Sequence, residues 1–154
     1  MKLEFLADYP EAIPQVAQWY FNQWDSKVGD SLDVVEARLR DRLNKHRAPL
    51  SIIAKSGSEI LGVAELRIRE MEIFPEREFW LGGVYVSPSA RGQGIAAALA
   101  SRVADVARTL RISEVYLQTR ILSGGLYANL GWRLEEIIEH KGRNLAIMVR
   151  SLPE

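Results

Sequence analysis

Val84-Tyr85-Val86-Ser87-Pro88-Ser89-Ala90-Arg91-Gly92-Gln93-Gly94-Ile95-Ala96 reads as a strand, a tight turn and the first turn of a helix. Val84, Tyr85 and Val86 are β-branched or aromatic, which suits a pleated surface. Pro88 cannot donate to a ladder and ends the strand. Gly92 and Gly94 allow the backbone close approach to a partner, and Ile95 opens an Ala-rich helix. A helix start carries unpaired N–H groups and a partial positive charge, which makes it an anion site. The two glycines and the small Ala96 remove side chains that would hold a phosphate off, and Arg91 adds a full positive charge at the rim.

Upstream of this segment, residues 2–7 read as a short strand. Ile13, Val16, Ala17, Tyr20 and Trp24 then recur at helical spacing, which predicts a helix over residues 11–24. Residues 25–30 are a polar connection. Ser31 is a plausible N-cap for a second helix with the stripe Leu32, Val35, Leu39 and Leu43, stopped by Pro49. Two strands follow over 51–55 and 59–69; in the second, Ile60, Gly62, Ala64, Leu66 and Ile68 share one face. A strand over 78–86 carries Gly82-Gly83 in its middle, which implies a bulge or close approach of a ligand.

Downstream, Ile95, Leu99, Val103, Val106 and Leu110 form one helical stripe. Residues 114–119 read as a strand, and residues 123–130 hold a short helix that Gly131 ends. Residues 132–139 and 144–150 read as a closing hairpin across His140-Lys141-Gly142-Arg143. The order β-α-α-β-β-β-α-β-α-β-β is that of an α/β protein with a mixed sheet. Without an internal repeat or linker, residues 1–154 read as one domain.

The chain of 154 residues is 47% hydrophobic and 26% charged, which is ordinary for a globular core. Twenty basic and twenty acidic residues cancel to a formal net charge of +0, which argues against a dedicated nucleic-acid surface. The absence of cysteine excludes disulfides, thiolate metal sites and cysteine nucleophiles, and two histidines leave little for a zinc site. His46, at a helix end, and His140, in a hairpin turn, read as surface residues. No apolar run approaches the ~18 residues of a membrane span, so no membrane partner is expected. Met1-Lys2-Leu3-Glu4-Phe5 is too short and charged for a signal peptide, and the location expected is cytoplasmic.

Arg91, Gly94 and Ala96 at the spacing Arg-x-x-Gly-x-Ala, after a Val-x-Val-x-Pro strand, resemble the coenzyme A signature of the GCN5-related N-acetyltransferases, the GNAT family. The element order matches that family's three-layer α/β/α architecture along nearly the whole chain. Leu126-Tyr127-Ala128-Asn129-Leu130-Gly131-Trp132 resembles a second motif of the family. The resemblance implies acetyl-CoA as co-substrate and no metal. It implies transfer of an acetyl group to a primary amine of a small molecule or peptide by direct attack. The turn made by Arg91, Gly92, Gln93, Gly94, Ile95 and Ala96 would hold pyrophosphate through backbone amides, leaving the side chains of Gln93 and Ile95 loosely specified. The strand edge at Val84, Tyr85 and Val86 would align the pantetheine arm, with a backbone N–H near the glycine pair facing the acetyl oxygen. Dimers are common in the family, so a homodimer is an expectation, although no stretch of this sequence marks an interface.

Tyr127 matches the family's acid: a phenol of pKa ~10 stays protonated at neutral pH and can serve a departing thiolate of pKa ~8.5. Its other reading is a core tyrosine. Glu78, thirteen positions before Arg91, matches the place where some members carry a glutamate base acting through water; its other reading is a solvated strand end, and Glu65 and Glu72 are rivals. Trp24, beside the polar connection, is the aromatic best placed for an acceptor pocket, whereas Trp19 and Tyr20 read as core. Glu70, Glu72, Glu76 and Glu78 read either as solvated loop charge or as an acidic lip for a cationic amine. Arg120 stands where many relatives carry asparagine or Pro-Asp, which leaves the acceptor unassigned. Three alternatives stay open. Gly92-x-Gly94-x-x-Ala97 also fits a dinucleotide fingerprint, but in the wrong place along the chain. A GNAT fold could sense acetyl-CoA without catalysis. Room beside Gly82 and Gly83 could admit a longer acyl-CoA.

Overall fold

Alternating apolar and polar residues at period two build the sheet, and stripes at period 3.6 build the helices that cover it. The computed structural model describes residues 1–153; Glu154, the last residue of the span read as one domain, lies outside the described residues. The strands are β1 (Lys2–Phe5), β2 (Leu50–Ser56), β3 (Glu59–Ile68), β4 (Phe79–Val86), β5 (Glu114–Thr119), β6 (Arg133–His140) and β7 (Arg143–Ser151). The helices are α1 (Ile13–Gln23), α2 (Leu32–Arg40) and α3 (Ile95–Thr109). The seven strands form one mixed sheet in the order β1-β2-β3-β4-β5-β7-β6, antiparallel except for the β4–β5 pair.

α3 covers one face of this sheet. Ile95, Leu99, Val103 and Val106 pack there against Leu50, Ile52, Leu66, Leu81 and Leu117. α1 and α2 cover half of the other face, burying Ile13, Val16, Tyr20, Val35 and Leu39 on Ile53 and Val63. Among the described residues no helix covers the rest of that face. Residues 69–78 strap it instead, with Met71 and Phe74 packed on Trp80, Tyr116 and Ile147. Arg69 N donates to Glu78 O at 2.6 Å and closes the strap.

Local chemistry sets the element ends. Ser31 caps α2 by accepting from Val34 N at 3.2 Å. α2 ends at Arg40 rather than running on to Pro49; the chain turns at Asp41, and Arg42 reaches the buried Glu65 instead. α1 is shorter than its stripe suggests, because Pro10–Ala12 form a 3₁₀ turn and Trp24 lies just beyond Gln23. Residues 125–130 likewise take a 3₁₀ rather than an α conformation. The β6–β7 turn is tighter than the four residues read from sequence: His140 pairs with Arg143, and Lys141 and Gly142 have φ of 51° and 77°. Two left-handed residues give the twist a two-residue hairpin prefers.

Two bulges correct the simple alternation. Between Ala54/Lys55 and Gly62/Ile60 the register shifts by one residue. Ile60 therefore packs with α1 and α2, and Leu61 with α3, so Ile60 does not share the face of Ala64 and Leu66. In β4 the register runs from Val63↔Tyr85 to Glu65↔Gly82, so β4 carries an extra residue there. Gly83, with φ of 60°, supplies the left-handed conformation of that bulge.

Beyond the bulge the sheet opens. β4 and β5 pair in register only at Trp80↔Tyr116, whereas β5 pairs β7 along its whole length. A bulge bends its strand and adds twist. From Leu81 to Val86, β4 leaves β5 with its backbone edge unpaired on that side.

Candidate active site

The open edge of β4 leads directly to the start of α3. Gly94 is the N-cap residue and no side chain caps the helix. Its first amides therefore lack side-chain partners. Gly92 and Gly94 have φ of 81° and 78°, and a Cβ on either would meet nothing within 4 Å. The glycines serve the left-handed turn, and the space in front of the amides is open. Gln93 is exposed and Ala96 half-buried. Ile95 is not loosely specified as its place in the turn suggested: it is buried under the sheet, beside Gly62.

Arg91 is exposed, yet tied to the strand end. Its Nε donates to Val86 O at 3.0 Å, and its guanidinium carbon lies 5.4 Å from the centre of the Tyr85 ring. Tyr85 in turn packs against Trp19 at 5.2 Å and Trp24 at 6.4 Å between ring centres. Val84 packs on the α3 side and Val86 is buried there. The three strand residues thus use their side chains for packing, and apart from Val86 O, which Arg91 holds, their edge towards β5 has no strand partner. An uncapped helix start at the end of an unpaired strand edge suits a ligand with a phosphate group and an extended, amide-bearing arm.

On the α1–α2 face a cavity of about 430 Å³ opens beside the bulge. Tyr20, Asp25, Arg38, Arg42, Arg67 and Glu70 contribute to its wall. Tyr20, read from sequence as core, is buried but reaches the bulge: its hydroxyl donates to Gly83 O at 2.7 Å. Trp24 packs against Tyr20 with tilted rings, 5.5 Å between ring centres, and is exposed. Burial pushes the Tyr20 hydroxyl well above its ordinary pKa.

Glu65 is fully buried beneath the cavity. It accepts from Arg42 at 2.8 Å, from Arg67 Nε at 2.9 Å and from Ser51 Oγ at 2.5 Å. Burial alone would raise its pKa, but Arg67 and Arg42, with the Ser51 hydrogen bond, outweigh burial and hold the carboxyl below the ordinary value. Fully buried and held by both arginines, Glu65 is a structural hub rather than a free base. Arg67 Nη1 continues the chain to Glu70 at 2.8 Å, and Glu70 accepts from Gln118 Nε2 of β5 at 3.1 Å. Glu70 therefore bridges β3 and β5 where β4 and β5 part.

The glycine pair fits this wall. A Cβ on Gly82 would collide with the Glu70 carboxylate, and one on Gly83 would lie 2.5 Å from the Tyr20 hydroxyl and 2.6 Å from Arg67 Nη2. The space that the sequence left for a longer acyl chain is filled on this side by Arg67, Glu70 and Tyr20.

Tyr127 lies on the opposite side of the sheet. It is half-buried on the turn Gly125–Leu130, packed against the α3 core and edge-on to Trp132 at 6.3 Å between ring centres. Burial raises its pKa, which favours the neutral phenol. Glu78 is not brought to the cavity. It precedes β4, is exposed, and sits 3.7 Å from Arg69. Gly83 lies five positions further on, roughly 16 Å at strand rise. Glu72 and Glu76 are exposed on the strap, whereas Glu70 is held in the cavity wall by Arg67 and Gln118. His46 is exposed, His140 sits at the β6–β7 turn, and Arg120 is exposed. Sequence reading placed Tyr20 in the core and named Glu70 only as one of four glutamates of an acidic lip; the structure sets both in the cavity wall. The glycine pair was the signal for both, since it marks where neighbouring side chains crowd the strand.

The family model described as acetyltransferase (GNAT) family matches residues 4–132. No curated protein matches the chain by sequence. Among solved structures, an aminoglycoside 6'-N-acetyltransferase complexed with coenzyme A is similar, with a TM-score of 0.78 and 14% identity, over 100% of this chain and 98% of that one. YncA from Salmonella typhimurium, solved with its cofactor acetyl-CoA, gives 0.73 and 19% over 99% and 94%. Mutant forms of the spermidine/spermine N-acetyltransferase SpeG from Vibrio cholerae give 0.70 and 18% over 98% and 94%. At these identities the likeness concerns the fold.

Proposed function

Since the chain belongs to the GNAT acetyltransferase family, we propose that it moves an acetyl group from acetyl-CoA to a primary amine of a small molecule or peptide by direct attack. The observation that carries this reading is the unpaired edge of β4, which runs from the bulge at Gly83 to the uncapped start of α3. It separates a polar cavity on one face from Tyr127 on the other.

Acetyl-CoA supplies an activated acyl group and a thiol leaving group. The amides of residues 92–96 hold its pyrophosphate, with the Arg91 charge beside them. The edge at Val84, Tyr85 and Val86 pairs with the pantetheine arm as an added strand would. A backbone N–H at the bulge faces the acetyl oxygen, where a fixed dipole stabilises negative charge better than mobile water does. Tyr127 keeps its proton at neutral pH and gives it to the departing sulfur. The acceptor enters from the cavity walled by Tyr20, Asp25 and Glu70. Small amines such as aminoglycosides and spermidine, on which the similar proteins act, are acceptors to test first.

Calorimetric titration with acetyl-CoA, with NAD as control, tests the first half of this reading. Micromolar binding of acetyl-CoA and none of NAD is expected. Thiol release on adding an aminoglycoside, spermidine or a peptide with a free N-terminus tests the second half. Binding without transfer to any amine would favour a sensing module, and binding of NAD alone would overturn the reading of the glycine turn.

A further inference from the structure

Resting on that acetyl-transfer reading, we infer that Glu70 is the carboxylate that receives the acceptor amine and takes its proton, with Arg67 and Gln118 as its positioning residues. The acetyl group is placed by the bulge, so the attacking nitrogen must arrive next to Gly82 and Gly83 from the cavity side. Glu70 is the carboxylate that stands there. It lines the cavity, and a Cβ on Gly82 would run into its Oε1. Its side chain is 13% exposed, against 47% for Glu78, so it is screened from bulk water yet reachable.

The carboxylate is also held. Arg67 Nη1 donates to Oε1 at 2.8 Å and Gln118 Nε2 donates to Oε2 at 3.1 Å. Each oxygen keeps a further lone-pair site for an N–H of the acceptor. Arg67 is fixed in turn by Glu65, and Gln118 belongs to β5, the strand that stays straight where β4 departs. A carboxylate fixed by two elements and set in a partly dry wall needs little reorganisation when charge develops. Asp25, the other acid of the wall, follows α1 and is not among the atoms nearest Gly82 and Gly83. The charged groups facing Glu70 and the cavity are Arg67 and Arg69 from β3 and its end, Arg38 and Arg42 from α2 and just after it, and Asp25.

The step balances without another reactant. The amine lone pair forms the N–C bond to the thioester carbonyl carbon as the carbonyl π pair moves to oxygen. The N–H proton passes to the Glu70 carboxylate. The carbonyl re-forms, the C–S bond breaks, and the sulfur leaves with the Tyr127 proton. Solvent then removes the proton from Glu70 and returns one to Tyr127, giving amide and free thiol.

The test uses E70Q in the full chain, with E76Q as a charge control from the exposed strap. The readouts are kcat/KM for the best amine of the screen, by thiol release, and acetyl-CoA affinity by calorimetry. Loss of a general base predicts a fall of about 10²-fold in kcat/KM for E70Q. Acetyl-CoA affinity should stay within about twofold, and E76Q should match wild type. The split between kcat and KM separates a chemical from a structural role: a fall carried by kcat is expected, and a fall carried by KM alone would overturn the inference. Gln118→Ala leaves the carboxylate in place but less firmly held and should lower kcat/KM by about tenfold. Undiminished kcat/KM in E70Q, with wild type active, would refute the Glu70 assignment alone. Wild type that binds acetyl-CoA and acetylates no amine would remove the transfer reading and this assignment with it.

Discussion

Gly83→Ala tests how the bulge is held. Gly83 has φ of 60°, where an L-residue is strained by about 1 kcal/mol. The new Cβ would lie 2.5 Å from the Tyr20 hydroxyl and 2.6 Å from Arg67 Nη2, so Tyr20 must withdraw. Its 2.7 Å hydrogen bond to Gly83 O is then lost, and leaving these buried groups unpaired costs about 1–2 kcal/mol. The sum is about 2–3 kcal/mol, a drop in melting temperature of about 5–10 °C for a chain this size. Tyr20→Phe removes only the hydrogen bond and should cost about 1 kcal/mol. Urea unfolding followed by tryptophan fluorescence measures both. Acetyl transfer should fall further in G83A than in Y20F, because only the alanine resets the strand backbone on which the proposed transfer depends. A G83A protein as stable as wild type would mean that neither the left-handed bulge nor the Tyr20 anchor exists as described.

Tyr127→Phe should keep acetyl-CoA affinity and lower turnover by at least about 10²-fold; unchanged turnover on a working amine would remove Tyr127 from the mechanism. Gly94→Trp should abolish acetyl-CoA binding in calorimetry while costing only about 1 kcal/mol of stability, since the left-handed φ is strained and the space is open. Glu65→Gln strips the charge from a buried hub of two arginines, each about a fifth exposed, and should cost about 3 kcal/mol near neutral pH. The folded Glu65 pKa is depressed. Its stabilisation is therefore fully present above the unfolded value of ~4.3 and is lost as pH falls through the folded value. The gap between wild type and E65Q in denaturant titrations should close with acidification, and a gap independent of pH would contradict the ion-pair account.

The sequence by itself determined the strand order along the chain and the three α-helices, the glycine turn that opens α3, the Ser31 cap and an irregularity at Gly82-Gly83, read as either a bulge or a close approach. Each of these is written in residues a few positions apart, where periodicity, capping and φ preference act. It also carried the family through two short motifs, because a phosphate turn is built from consecutive backbone amides. The cavity proposed for the acceptor was decided only by the tertiary structure. Tyr20 meets Gly83 across 63 residues, Glu70 meets Gln118 across 48, and Arg42 meets Glu65 across 23. No local pattern ranks one glutamate above another when their roles depend on which distant partner neutralises them. Glu65, Glu70 and Glu78 lie within fourteen residues of one chain segment. Folding makes the first a buried hub, the second a wall of the cavity and the third a solvated neighbour of Arg69, because burial and pairing, not sequence position, set what a carboxylate can do.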